Sequence, residues 1–268
     1  MRLQGGYDKI KSRKFIQSVT HEVKLMDKGQ YYLEHVKVPW GKMFYDMLFE
    51  QLTIPQSPKL NILDFGSGLG VTANHFAAWH NVTAVEPSEE MIANSFRENE
   101  YRQIQGGIEK LMEFEDESFD IIFCHNVLEY IEHKEPIIAE QLRVLKPCGV
   151  LSIVKHNRVG RVFGTAVAKS NPKKALSLLD ATANDKNDYL GMQYIFSNEY
   201  ISSLAEKYNG NVKEIFGMRA FYALGQDNSI KYTDEWYQDM LTLEHAVASI
   251  DEYRNAAFFN HLLIKKCE

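Results

Sequence analysis

The sequence predicts an α/β fold: a mostly parallel seven-stranded sheet, helices on both of its faces, and a helical lid. Three features predict it. Short apolar segments alternate with helix-patterned ones from about residue 60 to residue 155. One of them, Phe119 to Cys124, is apolar at every position but Asp120, as a strand buried on both faces requires. A glycine-rich turn, Gly66-Ser67-Gly68-Leu69-Gly70, separates the first strand from the helix after it.

The elements follow in order. Residues 1–58 read as an N-terminal helical extension, with a helix from about Pro39 to Leu52 on which Met43, Phe44, Met47 and Leu48 recur at helical spacing. Residues 59–268 form the main domain. Its first strands are Leu60 to Phe65, Val82 to Val85, Arg102 to Gln105 and Phe119 to Cys124. Pro87-Ser88-Glu89-Glu90 opens a helix, with acids in the first turn where the helix dipole favours them. Another helix ends near Leu145, Lys146-Pro147-Cys148-Gly149 reads as its stop, and Val150 to Val154 as the fifth strand. Residues 155–200 break the rhythm and read as a helical insertion that shares the lid with the N-terminal extension. A helix (Glu199 to Tyr208), a strand (Val212 to Phe216), a helix (Asp234 to Ile250) and a strand (Phe258 to Lys265) complete the chain, the last two strands as an antiparallel edge.

Composition excludes several classes. A chain of 268 residues, 45% hydrophobic and 25% charged, can bury a full globular core. A net charge of −6 offers no global attraction to nucleic acid, so such a partner needs a local patch. Cys124, Cys148 and Cys267 are scattered and odd in number, which argues against a disulfide framework or a zinc site. No apolar stretch reads as a membrane span or a signal peptide, so the expected location is the cytoplasm, with no membrane partner and no metal.

The glycine turn carries the chemistry. Between a strand and a helix, such a turn brings backbone N–H groups and the positive helix end against a ligand. Glu86 ends the next strand, twenty positions beyond Gly66, where an acid reaches a ribose hydroxyl pair. Its plain alternative is a solvated strand end. A dinucleotide turn wants a small residue three places after the second glycine, and Val71 stands there instead.

Gly-x-Gly-x-Gly after Asp64 resembles motif I of the class I S-adenosylmethionine-dependent methyltransferases, and so implies a Rossmann-like fold. Glu86-Pro87-Ser88 with Met91 resembles the ribose-binding motif of that family, and Gly107-Ile108-Glu109 falls where it contacts adenine, through Glu109 or through Ile108 and backbone. His125-Asn126-Val127-Leu128-Glu129-Tyr130 and Leu142 to Leu151 resemble its later motifs, so the likeness covers roughly residues 60–155. It implies S-adenosylmethionine as cofactor, held by Asp64, Gly66, Ser67, Gly68, Gly70, Glu86, Pro87, Met91, Ile108, Glu109 and His125. Tyr7-Asp8, Lys28-Gly29-Gln30, His156-Asn157 and Gly217-Met218-Arg219-Ala220-Phe221 further resemble the bacterial tRNA 5-carboxymethoxyuridine methyltransferase family. That family methylates the carboxylate of a modified wobble uridine. It has an arginine in the cofactor pocket where this chain has Tyr32; either another base, Lys28 or Arg13, replaces it as a cofactor-binding residue, or the subfamily differs.

The resemblance makes Arg219 an acceptor-side residue; its plain alternative is an exposed cation at the sheet edge. His125 ends the fourth strand, where ligands of such sheets bind, and is either a catalytic or a core histidine. From Lys155 to Lys174 six basic residues occur without an acid. With Asn157, the cations Lys155, Arg158 and Arg161 form a candidate substrate-binding track for RNA phosphates; the alternative is a solvated basic helix. A carboxylate acceptor needs only a cation to orient it, whereas a hydroxyl or amine must lose a proton to a base such as His125 or His156. The expected partner is therefore tRNA, or else a small-molecule acceptor in an aromatic-lined pocket.

Overall fold

The computed structural model describes residues 28–180, 185–187 and 191–267; the side chains of residues 28–31, 185–187, 191 and 192 lie outside that description. Two helices come first, α1 (Lys28–Lys37) and α2 (Pro39–Leu52). The second has Pro at its first position, where a missing N–H costs nothing. It buries Met43, Phe44, Met47 and Leu48, the apolar stripe that its sequence shows.

The sheet then builds outward from its centre. Strand β1 (Asn61–Phe65) pairs in parallel with β2 (Asn81–Glu86) on one side and with β4 (Phe119–His125) on the other. Strand β3 (Arg102–Gln105) pairs in parallel with β2, and β5 (Leu145–His156) with β4. Strand β9 (Phe259–Lys266) returns antiparallel to β5, and β8 (Gly210–Met218) antiparallel to β9. The order is β3-β2-β1-β4-β5-β9-β8, seven strands with an antiparallel edge, as the sequence predicts. Helices α3 (Val71–Ala77), α4 (Glu89–Ala93), α5 (Ile108–Leu111) and α6 (Glu135–Val144) make the crossovers.

One core lies on each face. Ile122, Cys124, Leu142, Leu151, Leu204 and Leu262 are buried together on one side. Met43, Phe44, Met47, Ile121, Phe123, Tyr222 and Phe259 are buried on the other. Successive β4 residues alternate between them, which is why that strand reads as continuously apolar. Cys124 is the small core residue that its run suggests.

Two local readings change. Lys146 to Gly149 is not a stop. β5 already pairs with β4 at Leu145, and the register shifts between Phe119 and Ile121 while Cys148 adopts φ +63°. That bulge absorbs Pro147 inside the strand. The helix expected to reach Ile250 ends as α10 (Asp234–Val247), and a short α11 (Asp251–Arg254) follows. The insertion holds α7 (Arg158–Phe163), a π-helical turn over Gly164–Ala168, α8 (Pro172–Ser177) and the hairpin β6 (Asp185–Asn187) with β7 (Gly191–Gln193). Helix α9 (Asn198–Lys207) then leads back to the sheet. Among the described residues no helix is long and apolar enough to cross a membrane.

Candidate active site

The glycine turn is built by backbone geometry. Gly66 and Ser67 donate their N–H groups to the Val85 carbonyl, at 2.8 and 3.1 Å, which ties the turn to β2. Gly66 takes φ +74°, and a Cβ there would lie 2.3 Å from a Val127 methyl, so the chain needs glycine twice over. Glu86 completes the turn. One carboxylate oxygen accepts from Gly68 N–H at 2.8 Å and the other from Ser88 N–H at 2.9 Å. Each oxygen keeps a lone pair for a further donor. Burial raises its pKa, while those two N–H groups lower it. Ser88 caps α4 by accepting from Met91 N–H at 3.3 Å.

Beside the turn lies a cavity of about 540 Å³, within the range of small-molecule sites. Asp64, Gly66, Ser67, Gly68, Glu86, Pro87, Met91, Ile108 and His125 line it, which brings nine of the proposed cofactor residues together. Tyr32, Phe44, Tyr45, Thr72, Asn126 and Tyr130 share the lining. The Asp64 carboxyl, its oxygen accepting from Ala73 N–H at 3.1 Å, is pushed up to about 7, chiefly by burial.

Other candidates fall elsewhere. Gly70 is not on the cavity wall. It precedes α3 with φ +68°, and a Cβ there would strike the Tyr101 hydroxyl, so its role is packing. Glu109 is exposed and accepts from Gly107 N–H at 2.7 Å, which leaves Ile108 and backbone on the wall. Lys155 is a correction: it is 1% exposed, and its ammonium donates to the Phe196 and His156 carbonyls. Burial lowers its pKa to about 8. Asn157 is likewise buried, its amide donating to the Asn255 and Ala257 carbonyls. Neither belongs to a phosphate track, because their polar ends are spent on closing the chain behind β5. Arg158 and Arg161 lie half-buried on α7, and Lys169, Lys173 and Lys174 are exposed. The side chain of Lys28, and all of Tyr7, Asp8 and Arg13, lie outside the described residues.

Arg219 is not an exposed edge cation. It is 8% exposed, follows β8 with φ +60°, and sits 5.1–5.5 Å from the ring centres of Trp40, Tyr222, Phe258 and Phe259. Its Nε is buried without a hydrogen-bond partner. Glu244, which acts on it electrostatically, spends its carboxylate on the N–H groups of Ala220, Phe221 and Tyr222. Burial lowers the Arg219 pKa to about 10, so the guanidinium stays charged at neutral pH. Such a cation is ready for an anion. Glu129, in the fourth-strand motif, is structural: it accepts from the His156 backbone N–H at 2.6 Å and the His156 ring at 3.0 Å.

Residues 63–153 match the model of the methyltransferase domain family. These residues are a methyltransferase domain. Over 205 residues the chain is 26% identical to the ubiquinone biosynthesis O-methyltransferase of Rickettsia typhi, covering 72% of this chain and 78% of that protein. Over 107 residues it is 29% identical to the thiol S-methyltransferase TMT1A of Homo sapiens, covering 37% of this chain and 44% of that one. The chain thus spans less than half the length of the human relative. In three dimensions it resembles a SAM-dependent methyltransferase from Archaeoglobus fulgidus, with a TM-score of 0.56, 15% identity, and coverage of 88% of this chain and 99% of that one. The methyltransferase domain has the class I fold, and domain and fold together imply S-adenosylmethionine as the cofactor.

The cavity of this methyltransferase domain fits that cofactor. Ser67 Oγ, Asn126 Oδ1 and His125 Nδ1 are buried polar atoms without partners, all from cavity-lining residues, and buried polar groups call for hydrogen bonds. Asp64 and Glu86 would offer carboxylates to a cationic ligand with ribose hydroxyls. When bound, the cofactor would supply a methyl group on a sulfonium, and these residues would align it and exclude water. Tyr45, Thr72 and Asn126 were not legible as lining residues. The α2 pattern marks core positions only, and Asn126 reaches the wall through a left-handed conformation (φ +54°) that no spacing rule announces.

Proposed function

We propose that the protein transfers the methyl group of S-adenosylmethionine to an anionic acceptor whose charge is held by Arg219. The observation that carries this is the buried guanidinium, ringed by four aromatic side chains and lacking a partner at Nε. The ring of Phe259 is a neighbour both of Arg219, at 5.5 Å, and of Phe44 of the cavity wall, at 5.2 Å. Arg219 does not itself line the cavity, and one aromatic ring separates its guanidinium from the cavity wall. In-line methyl transfer gains mainly from alignment, worth effective molarities of about 10⁵–10⁸ M.

Two acceptors suit this chemistry. The sequence resemblance favours the carboxylate of a modified wobble uridine in tRNA, and the exposed Lys169, Lys173 and Lys174 offer phosphate contacts near the insertion. The apolar lining by Val36, Phe44, Ile131 and Ile137, with the O- and S-methyltransferase relatives, favours a small-molecule acid. Incubation with methyl-labelled cofactor and separate tRNA and small-molecule fractions of a cell extract decides between them. Arg219→Met should raise the acceptor KM at least tenfold and leave cofactor affinity unchanged. An unaltered KM removes Arg219 from the acceptor site, and label in neither fraction removes the activity.

A further inference from the structure

A buried polar chain leaves the cavity through His125 and crosses the sheet to α2. His125 Nε2 lies 2.8 Å from Ser152 Oγ, and Ser152 Oγ lies 2.8 Å from His261 Nε2. His261 Nδ1 lies 2.8 Å from Gln51 Oε1, and Gln51 Nε2 donates to the Gly217 carbonyl at 3.3 Å. Ser152 and His261 are fully buried and Gln51 is 7% exposed.

The proton positions follow from one fixed end. The Gly217 carbonyl can only accept, so the amide nitrogen of Gln51 faces it and the amide oxygen faces His261. His261 Nδ1 must then carry a hydrogen. Burial lowers the His261 pKa to about 3, so the ring is neutral and its Nε2 is a lone pair. Ser152 gives its single hydrogen to that lone pair and must accept from His125 Nε2–H. Burial and His261 hold His125 well below the ordinary imidazole value, so it too is neutral. Its lone pair falls on Nδ1, the buried atom without a partner.

We propose that Gln51, His261 and Ser152 are positioning residues that lock His125 as the Nε2–H tautomer, so that Nδ1 takes the proton of a hydroxyl or thiol on the acceptor as that atom is methylated. The inference rests on the methyl-transfer reading above and names the acceptor group. Along the C-terminal ends of the parallel strands, His125 on β4 stands next to the glycine turn on β1. Arg219 follows β8, three strand spacings from β4, or about 14 Å. The anion at Arg219 and the atom beside His125 are then separate groups of one acceptor. A carboxylate at His125 would set lone pair against lone pair; an O–H or S–H satisfies Nδ1.

The step balances. The acceptor O–H or S–H bond breaks and Nδ1–H forms. The methyl carbon leaves the cofactor sulfur, whose bonding pair stays with it, and bonds to the acceptor atom. The positive charge passes from sulfonium to imidazolium, so the cavity holds one cation before and after. The locked tautomer keeps Nδ1 free for that proton at neutral pH.

Methylated product from labelled extract is treated with mild alkali. Ether or thioether label survives it, as expected here; release as volatile methanol means an ester and overturns the role of His125. Ser152→Ala, a small change in the core, should cut label transfer roughly tenfold or more. Its affinity for S-adenosylhomocysteine should stay within twofold. Unchanged transfer overturns the relay, and a parallel loss of affinity assigns Nδ1 to the cofactor instead. If no label is transferred at all, the methyl-transfer reading fails, and nitrogen-15 spectra of the histidines still test the lock. They should show His125 protonated at Nε2 alone; a proton on Nδ1 overturns it.

Discussion

At the residue scale, the two carboxylates of the cavity divide their work. Glu86 holds the turn through Gly68 and Ser88 and keeps lone pairs for a further donor, in our proposal the ribose. Calorimetry with S-adenosylhomocysteine on Glu86→Ala should show a loss of about 1.5–3 kcal/mol, the range for charge-assisted hydrogen bonds. Unchanged affinity would remove Glu86 from the ribose site. Asp64 works through its charge state. Its folded-state pKa of about 7 exceeds the ordinary 3.8, so the folded protein binds this proton more tightly than the unfolded chain. Its contribution to stability is present in full below pH 4 and is lost as pH rises to about 7. A cationic ligand favours the ionised form, so cofactor affinity should rise from pH 6 to pH 8. Asp64→Asn should remove both the stability slope and that rise; titrations at the two pH values check it.

At the element scale, the strand–turn–helix unit from Asn61 to Ala77 forms its turn only because its backbone takes left-handed conformations. Gly66→Ala places a Cβ 2.3 Å from Val127 and forces φ +74° on an L-residue. Gly68→Ala has φ +55° but nothing within 4 Å of its Cβ. Both carry the left-handed penalty of about 1–2 kcal/mol, and only the first adds a clash. Thermal unfolding should therefore show a lower midpoint for Gly66→Ala than for Gly68→Ala; equal midpoints would mean that Val127, just after β4, yields freely. Glycine spacing made this turn legible. The same spacing could not tell that Gly70 packs against Tyr101 while Gly68 faces the cavity, because that depends on the direction of each Cα–Cβ bond.

At the scale of the whole molecule, charge is uneven. The net charge is −6, yet Lys169, Lys173 and Lys174 stand exposed on the insertion, and Arg158 and Arg161 lie half-buried on its first helix. If these cations meet phosphates, tRNA affinity should fall with salt, by a slope of about 0.7 per phosphate on a single strand. Lys173→Ser with Lys174→Ser should flatten that slope by up to two such contributions and leave S-adenosylhomocysteine binding intact. An identical slope in filter-binding assays would detach this surface from RNA. The long-range link between the ends of the chain is also testable. The Tyr237 hydroxyl of α10 donates to Asp46 of α2 at 2.7 Å, and Tyr237→Phe should cost about 1 kcal/mol in denaturant unfolding.

The sequence by itself determined the sheet, its parallel core and antiparallel edge, the glycine turn and the acid at Glu86. These are local or periodic properties: alternation of buried strands, helix stripes and short loops with fixed residue requirements. Only the tertiary structure decided which polar side chains face ligand and which close the fold. Lys155 and Asn157 stand in a basic run that reads as a surface track, but the end of β5 and the turn into α7 direct them inward, where backbone carbonyls take their hydrogens. Arg219 reads equally as an edge cation until Trp40, nearly 180 positions away, closes over it with three other rings. Gln51, Ser152 and His261 carry no motif at all. Their alignment with His125 exists only because α2, β4, β5 and β9 meet on one face of the sheet, and contacts between distant segments have no periodicity to reveal them.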